Sequence, residues 1–181
     1  AYTNPSYPIL NISNDGDIVL IFAHADDELT ILGQVSHVIK QNPKRRVHWI
    51  IATNNAGLHQ DMSYASLRTA EANAVASCVG LSSPTIMNLP DSGLSQMNDL
   101  QDKLEKEIAK LGISKIAAVF THDSRGLYGH PDHLQVYQAA KGLAEKNKAL
   151  LVAAAYPSFL RHNAAFYYMM VKRKIFPKFV P

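Results

Sequence analysis

Short unbroken apolar runs alternate along this chain with longer stretches of helical spacing. After Asp17 the residues to Ala23 are continuously apolar, which suits a strand buried on both faces. Residues 28–40 follow with Leu29, Leu32, Val35 and Ile39 at helical spacing, predicting a helix. The strand pattern returns over 47–53, and a polar stretch with Gly57 as its turn signal leads into a helix over 62–79 closed by Gly80. A strand over 85–89, a turn at Pro90-Asp91-Ser92-Gly93, an amphipathic helix over 98–111 ended by Gly112 and a strand over 115–121 come next. Pro131 stands where a first helical turn begins, residues 134–146 supply that helix, and strands over 149–156 and 165–171 close the pattern.

Strands alternating with helices imply βαβ units, because parallel neighbours need crossovers. The expected fold is α/β: a Rossmann-like three-layer sandwich with a mostly parallel central sheet, in one domain over 1–181. With 181 residues, 47% hydrophobic and 18% charged, the chain can bury a full core. The net charge of +3 is scattered, with clusters only at Lys44-Arg45-Arg46 and around Lys172-Arg173-Lys174, so a nucleic-acid partner is not expected. No apolar run reaches the ~18 residues of a membrane span.

Two polar clusters sit at the carboxyl ends of predicted strands, where open sheets of this type bind ligands. His24-Ala25-Asp26-Asp27-Glu28 follows the first run, and His130-Pro131-Asp132-His133 comes shortly after the strand over 115–121. Either cluster alone would serve as an ordinary helix start. Together, His24 and Asp27 from one and His133 from the other make a three-ligand site for Zn²⁺ or another divalent metal, with a position left open for water. Asp26 cannot share the metal face with its neighbour Asp27 and is better placed as a base beside that water.

These clusters resemble the AHPDDE and GHPDH motifs of the PIG-L/LmbE-like zinc deacetylases. Arg68 and Glu71, Asp91 in Leu89-Pro90-Asp91, and Tyr128 before Gly129-His130 extend the similarity over most of the chain. The resemblance implies zinc on His24, Asp27 and His133, and Asp26 as general base. It implies His130 as an imidazolium stabilising the oxyanion, Tyr128 assisting, and Arg68 and Asp91 holding a sugar-like substrate. The implied reaction is removal of acetyl from a small N-acetylglucosamine-type sugar; the alternatives are hydration or hydrolysis of another carbonyl compound, or sugar binding without turnover. Three features depart from the family: Ala25 replaces its Pro, the Thr53-Asn54-Asn55-Ala56-Gly57 loop lacks its acidic, Gly-rich form, and little chain follows the last strand.

The remaining residues fit structural uses. Cys78 is the sole cysteine, which excludes an intrachain disulfide, and reads as a small core residue on a helix. His37, His48, His59, His122 and His162 lack paired ligand spacing; His122 is the one whose strand ends near the site. The aromatic and basic stretch 166–179 reads as an edge strand with a solvated tail. Ala1 at the start and the Asn-, Ser- and Pro-rich stretch after it lean towards an extracytoplasmic setting, and a homo-oligomer is compatible with the composition.

Overall fold

A computed structural model describes residues 10–13, 15–57 and 59–154. Its elements run β1 (Asp17–Phe22), α1 (Leu32–Gln41), β2 (Val47–Thr53), α2 (Met62–Val79), β3 (Thr85–Leu89), α3 (Leu100–Lys110), β4 (Ile116–His122), a short turn α4 (Gly126–Gly129), α5 (Pro131–Asn147) and β5 (Leu150–Ala154). The five strands form one sheet in the order β3-β2-β1-β4-β5, every neighbouring pair parallel. This is the expected α/β sandwich.

Alternation along the strands divides the core between the two faces. Val19, Ile21, Ile50 and Val119 pack with Leu104 and Ile108 of α3 and Val136 and Leu143 of α5. Leu20, Phe22, Ile51 and Phe120 pack on the other side with Val35 and Val38 of α1 and Ala72 and Ala76 of α2. Each large apolar side chain withdrawn from water in this way contributes ~1.5–3 kcal/mol. The order of strands reverses between β1 and β4, so the chain leaves these two neighbours in opposite directions and opens a crevice at their carboxyl ends.

Local chemistry sets the helix ends. The Asp61 carboxylate accepts the N–H groups of Ser63 (2.9 Å) and Tyr64 (3.3 Å) to start α2, and Gly80 ends it at φ 76°. Pro131 occupies the first turn of α5 as the pattern required.

Two expectations need correction. The helix over 28–40 begins only at Leu32: Asp26 takes φ 93°, a 3₁₀ turn covers Asp27–Thr30, and Leu29 is left 59% exposed. Cys78 is exposed as well. α2 buries the small residues Ala65, Ala72 and Ala76 against the sheet, which turns position 78 to solvent. The strand expected over 165–171, His162 and the stretch 166–179 lie outside the described residues. No helix among the described residues is long and apolar enough to cross a membrane.

Candidate active site

The crevice holds a pocket of about 420 Å³ whose walls include His24, Asp26, Asn55, Arg68, Asp91 and Tyr128. All eight candidate residues from the sequence line it. Three side chains converge at its base. His24 Nδ1 lies 3.3 Å from His133 Nε2 and 3.4 Å from Asp27 Oδ2, and His133 Nε2 lies 3.2 Å from Asp27 Oδ1. Ligand atoms ~2.0–2.1 Å from a tetrahedral ion are separated by about 3.3 Å, so this donor set fits Zn²⁺ in both chemistry and spacing.

The surroundings aim the ligand atoms. His24 Nε2 faces Asp91 Oδ1 and Asp132 Oδ2, each at 3.3 Å, so a metal taken on Nδ1 would leave a hydrogen on Nε2 for these carboxylates. Burial alone would lower the His24 pKa, but Asp132, Asp27 and Asp91 outweigh it and hold it well above the ordinary value. Burial would raise Asp27, yet the rings of His24, His122 and His133 keep its carboxyl well below the usual range. Burial pushes His133 down, leaving its ring neutral. Asp27 also accepts the His24 N–H at 2.7 Å, tying the first cluster together.

Asp26 projects beside this base, its side chain 57% exposed and 2.5 Å from Arg68 Nη2. Burial and the Asp27 charge raise its pKa, and Arg68 opposes them. Arg68 also binds Glu71 at 2.6 Å and donates to the Ala25 carbonyl. Asp91 accepts the Gly57 N–H at 3.0 Å and faces His24. Both residues expected to hold substrate thus engage protein groups as well.

Across the pocket, α4 carries the Tyr128 ring to 5.8 Å from that of His130, centroid to centroid. The turn depends on Gly126, at φ 59°, where a Cβ would stand 3.0 Å from Leu134 Cγ and 3.2 Å from His133 Cβ. His130 caps α5 by accepting the Asp132 N–H on Nδ1 at 3.2 Å. Burial and the nearby His24 charge lower its pKa. With Nδ1 accepting from the Asp132 N–H, Nε2 is the ring nitrogen placed to donate a hydrogen.

The sequence reading left four nearby residues without a role in the site. His122 is buried, accepts the Ala23 N–H on Nε2 at 3.0 Å and stacks on His133 with centroids 4.1 Å apart; burial pushes its pKa down to about 4. Glu28 is buried and accepts the Asp26 N–H at 2.9 Å; burial raises its pKa to about 7. Asn55 and Tyr64 also line the pocket. Asn55 follows the carboxyl end of β2, and strand-end position was the signal that could have found it.

Comparison with known proteins agrees with this architecture. The chain is 28% identical over 147 residues to the 1D-myo-inositol 2-acetamido-2-deoxy-alpha-D-glucopyranoside deacetylase of Mycolicibacterium smegmatis, covering 66% of this chain and 50% of that protein. It therefore spans about half the length of this curated relative. The N,N'-diacetylchitobiose deacetylase of Pyrococcus horikoshii superposes with a TM-score of 0.58 at 18% identity, over 95% of this chain and 75% of that one. A conserved protein of Thermus thermophilus gives 0.53 at 22% identity, over 76% and 60%. The sequence profile of PIG-L, GlcNAc-PI de-N-acetylase, matches residues 19–144, and a match over that much of the chain, with both polar clusters inside it, makes this protein a member of the PIG-L family.

Proposed function

We propose that this chain is a zinc-dependent N-deacetylase that hydrolyses the acetamide of a small N-acetylglucosamine-type sugar. The observation that carries the reading is the triangle of His24 Nδ1, Asp27 and His133 Nε2 at 3.2–3.4 Å, beside the Asp26 carboxylate and the His130 imidazole in one pocket. Family membership and the names of the relatives supply the substrate class.

His24, Asp27 and His133 would hold the metal, which when bound supplies a Lewis acid that polarises a carbonyl and makes water nucleophilic near neutral pH. The rest of the chemistry falls to the chain. The Asp26 carboxylate takes the proton of the attacking water and delivers it to the departing sugar amine. Arg68 fixes that carboxylate at 2.5 Å. His130 donates its Nε2 hydrogen to the oxygen on which charge develops, with Tyr128 beside it as a second donor. Arg68 and Asp91 border the space for the sugar, and a volume of about 420 Å³ suits a small ligand.

The test is acetate release from a panel of N-acetylated sugars, including N-acetylglucosaminyl-inositol and N,N'-diacetylchitobiose, by the chain with and without added Zn²⁺. Turnover that requires the metal is expected. Bound metal with no acetate released from any member would overturn the deacetylase reading in favour of a sugar-binding module.

A further inference from the structure

We infer that Asn55 is a positioning residue for Asp26, acting through the Ala25 N–H; the inference rests on the reading of Asp26 as the proton acceptor. The β1–β2 ladder runs past the strand ends. The Ala23 carbonyl accepts both the backbone N–H (3.0 Å) and the hydroxyl (2.8 Å) of Thr53. Two residues on, the Ala25 N–H donates to Asn55 Oδ1 at 2.7 Å. Here a side-chain carbonyl replaces the backbone carbonyl that a further ladder rung would use, and it reaches into the site loop.

Asn55 is built for this single contact. It is 2% exposed and holds φ 57°, a left-handed conformation that Asn tolerates better than most residues. Its own N–H reaches Thr53 Oγ1 at 3.3 Å. Among the described residues its buried Nδ2 has no hydrogen-bond partner. An unmade buried donor is unfavourable, so the carboxamide is a net liability unless its oxygen does something of value. Turning the amide over would set its NH₂ against the Ala25 N–H, so the acceptor role alone fixes its orientation.

What the oxygen holds is the His24–Ala25 peptide group, one residue ahead of the Ala25–Asp26 peptide that Arg68 and Glu28 hold. Asp26 at φ 93° is strained for a residue with a Cβ, and such a conformation persists only where neighbours over-determine it. Arg68 holds the Ala25 carbonyl, Glu28 holds the Asp26 N–H at 2.9 Å, and Asn55 holds the Ala25 N–H. Arg68 reaches the loop from α2 and Glu28 belongs to the loop's own 3₁₀ turn, whereas Asn55 ties the loop to the end of β2. The contact exists because residue 25 is not proline: a proline there has no N–H to give. Positions 25 and 55 therefore form an energetic pair, and a substitution at one changes the meaning of the other.

The experiment has two arms. Site-resolved amide hydrogen exchange on the full chain, without added metal, should show that Asn55→Ala strips protection from the Ala25 amide while Ile21 in β1 keeps its own; Asn55→Asp, which retains an acceptor oxygen, should restore it. On zinc-loaded protein, Asn55→Ala should lower kcat on the best N-acetylated sugar ~10-fold, the equivalent of one hydrogen bond of about 1.4 kcal/mol, with KM and bound zinc unchanged. In an Ala25→Pro background the same Asn55→Ala change should cost less than about threefold, because the donor is already gone. Unchanged Ala25 protection in Asn55→Ala would overturn the inference, as would an equal kcat loss in both backgrounds. Failure to turn over any sugar sinks the deacetylase reading instead, and the exchange arm still decides whether Asn55 holds the loop.

Discussion

The Asp132 carboxylate stands 3.3 Å from His24 Nε2, on the far side of the imidazole from Asp27 and His133. The same carboxylate accepts the N–H groups of Ser92 (2.7 Å) and Leu94 (3.0 Å), so it is fully buried and cannot move with the ring. On the proposed reading it holds the Nε2 hydrogen of His24 and turns Nδ1 towards the metal position. Asp132→Asn should therefore weaken Zn²⁺ binding by ~10- to 100-fold, the range for a partner that orients a ligand histidine. Competition with a chromophoric chelator measures it; unchanged affinity would show that His24 is oriented by Asp91 alone.

His130 lies against the pocket, while its Nδ1 is committed to the Asp132 N–H. Nε2 is the ring nitrogen that can donate to a substrate oxygen. His130→Ala should lower kcat by ~10²–10³-fold, as for removal of an oxyanion donor, with little change in KM. A raised KM at unchanged kcat would make His130 a substrate-binding group with no part in the transition state.

Arg68 binds the Asp26 carboxylate at 2.5 Å and also the Ala25 carbonyl, so its loss frees both the proposed base and the loop that bears it. Arg68→Met keeps the length of the side chain but removes the donors. The expected result is a fall in kcat of ~10²-fold, since misplacement of a reacting group by about 1 Å costs that much. The same variant with full kcat and a raised KM would return Arg68 to the substrate-binding role implied by family resemblance.

β1 and β4 were legible because a strand buried on both faces has to be apolar at every position, and Ile18–Phe22 and Ile116–Phe120 are. The meeting of His24 with His133 followed from placing both clusters at strand ends of a parallel sheet. Leu29 misled because its helical spacing is real, while Asp26 takes φ 93° in a loop held by Arg68 and Asn55 from distant parts of the chain, which the local pattern does not record. α2 gave no phase: its buried face is made of Ala65, Ala72 and Ala76, residues equally at home on a surface, so the facing of Cys78 could not be read from the pattern. Asn55 was hidden for another reason. Its partner is a backbone N–H thirty residues away, which no side-chain motif records.

The exposed Cys78 gives a direct check on the rotation of α2. It is the only thiol in the chain, so a chromogenic disulfide should titrate one equivalent per folded chain without denaturant. Activity should survive, because Cys78 is not among the pocket residues. Reaction seen only after unfolding would mean that α2 packs on a different face.

The last prediction concerns the start of α2, the helix that carries Tyr64 and Arg68 to the pocket. The Asp61 carboxylate accepts from the Ser63 hydroxyl at 2.7 Å and from the N–H groups of Ser63 and Tyr64, and these bonds lower its pKa below the ordinary carboxylate value. A folded pKa depressed below the unfolded one means that folding favours the ionised form. The resulting stability is fully present above the unfolded pKa of ~3.9 and is lost as pH falls through the lower folded value. Asp61→Ala should therefore lower Tm at pH 7 and much less below pH ~3, where the wild-type side chain is protonated too. Asp61→Asn, which keeps a capping oxygen without the charge, should lie between the two at pH 7 and show a flatter dependence on pH. Thermal melts across this range measure it; a gap between Asp61→Ala and wild type that stays constant with pH would mean that the helix is capped by geometry alone and the charge contributes nothing.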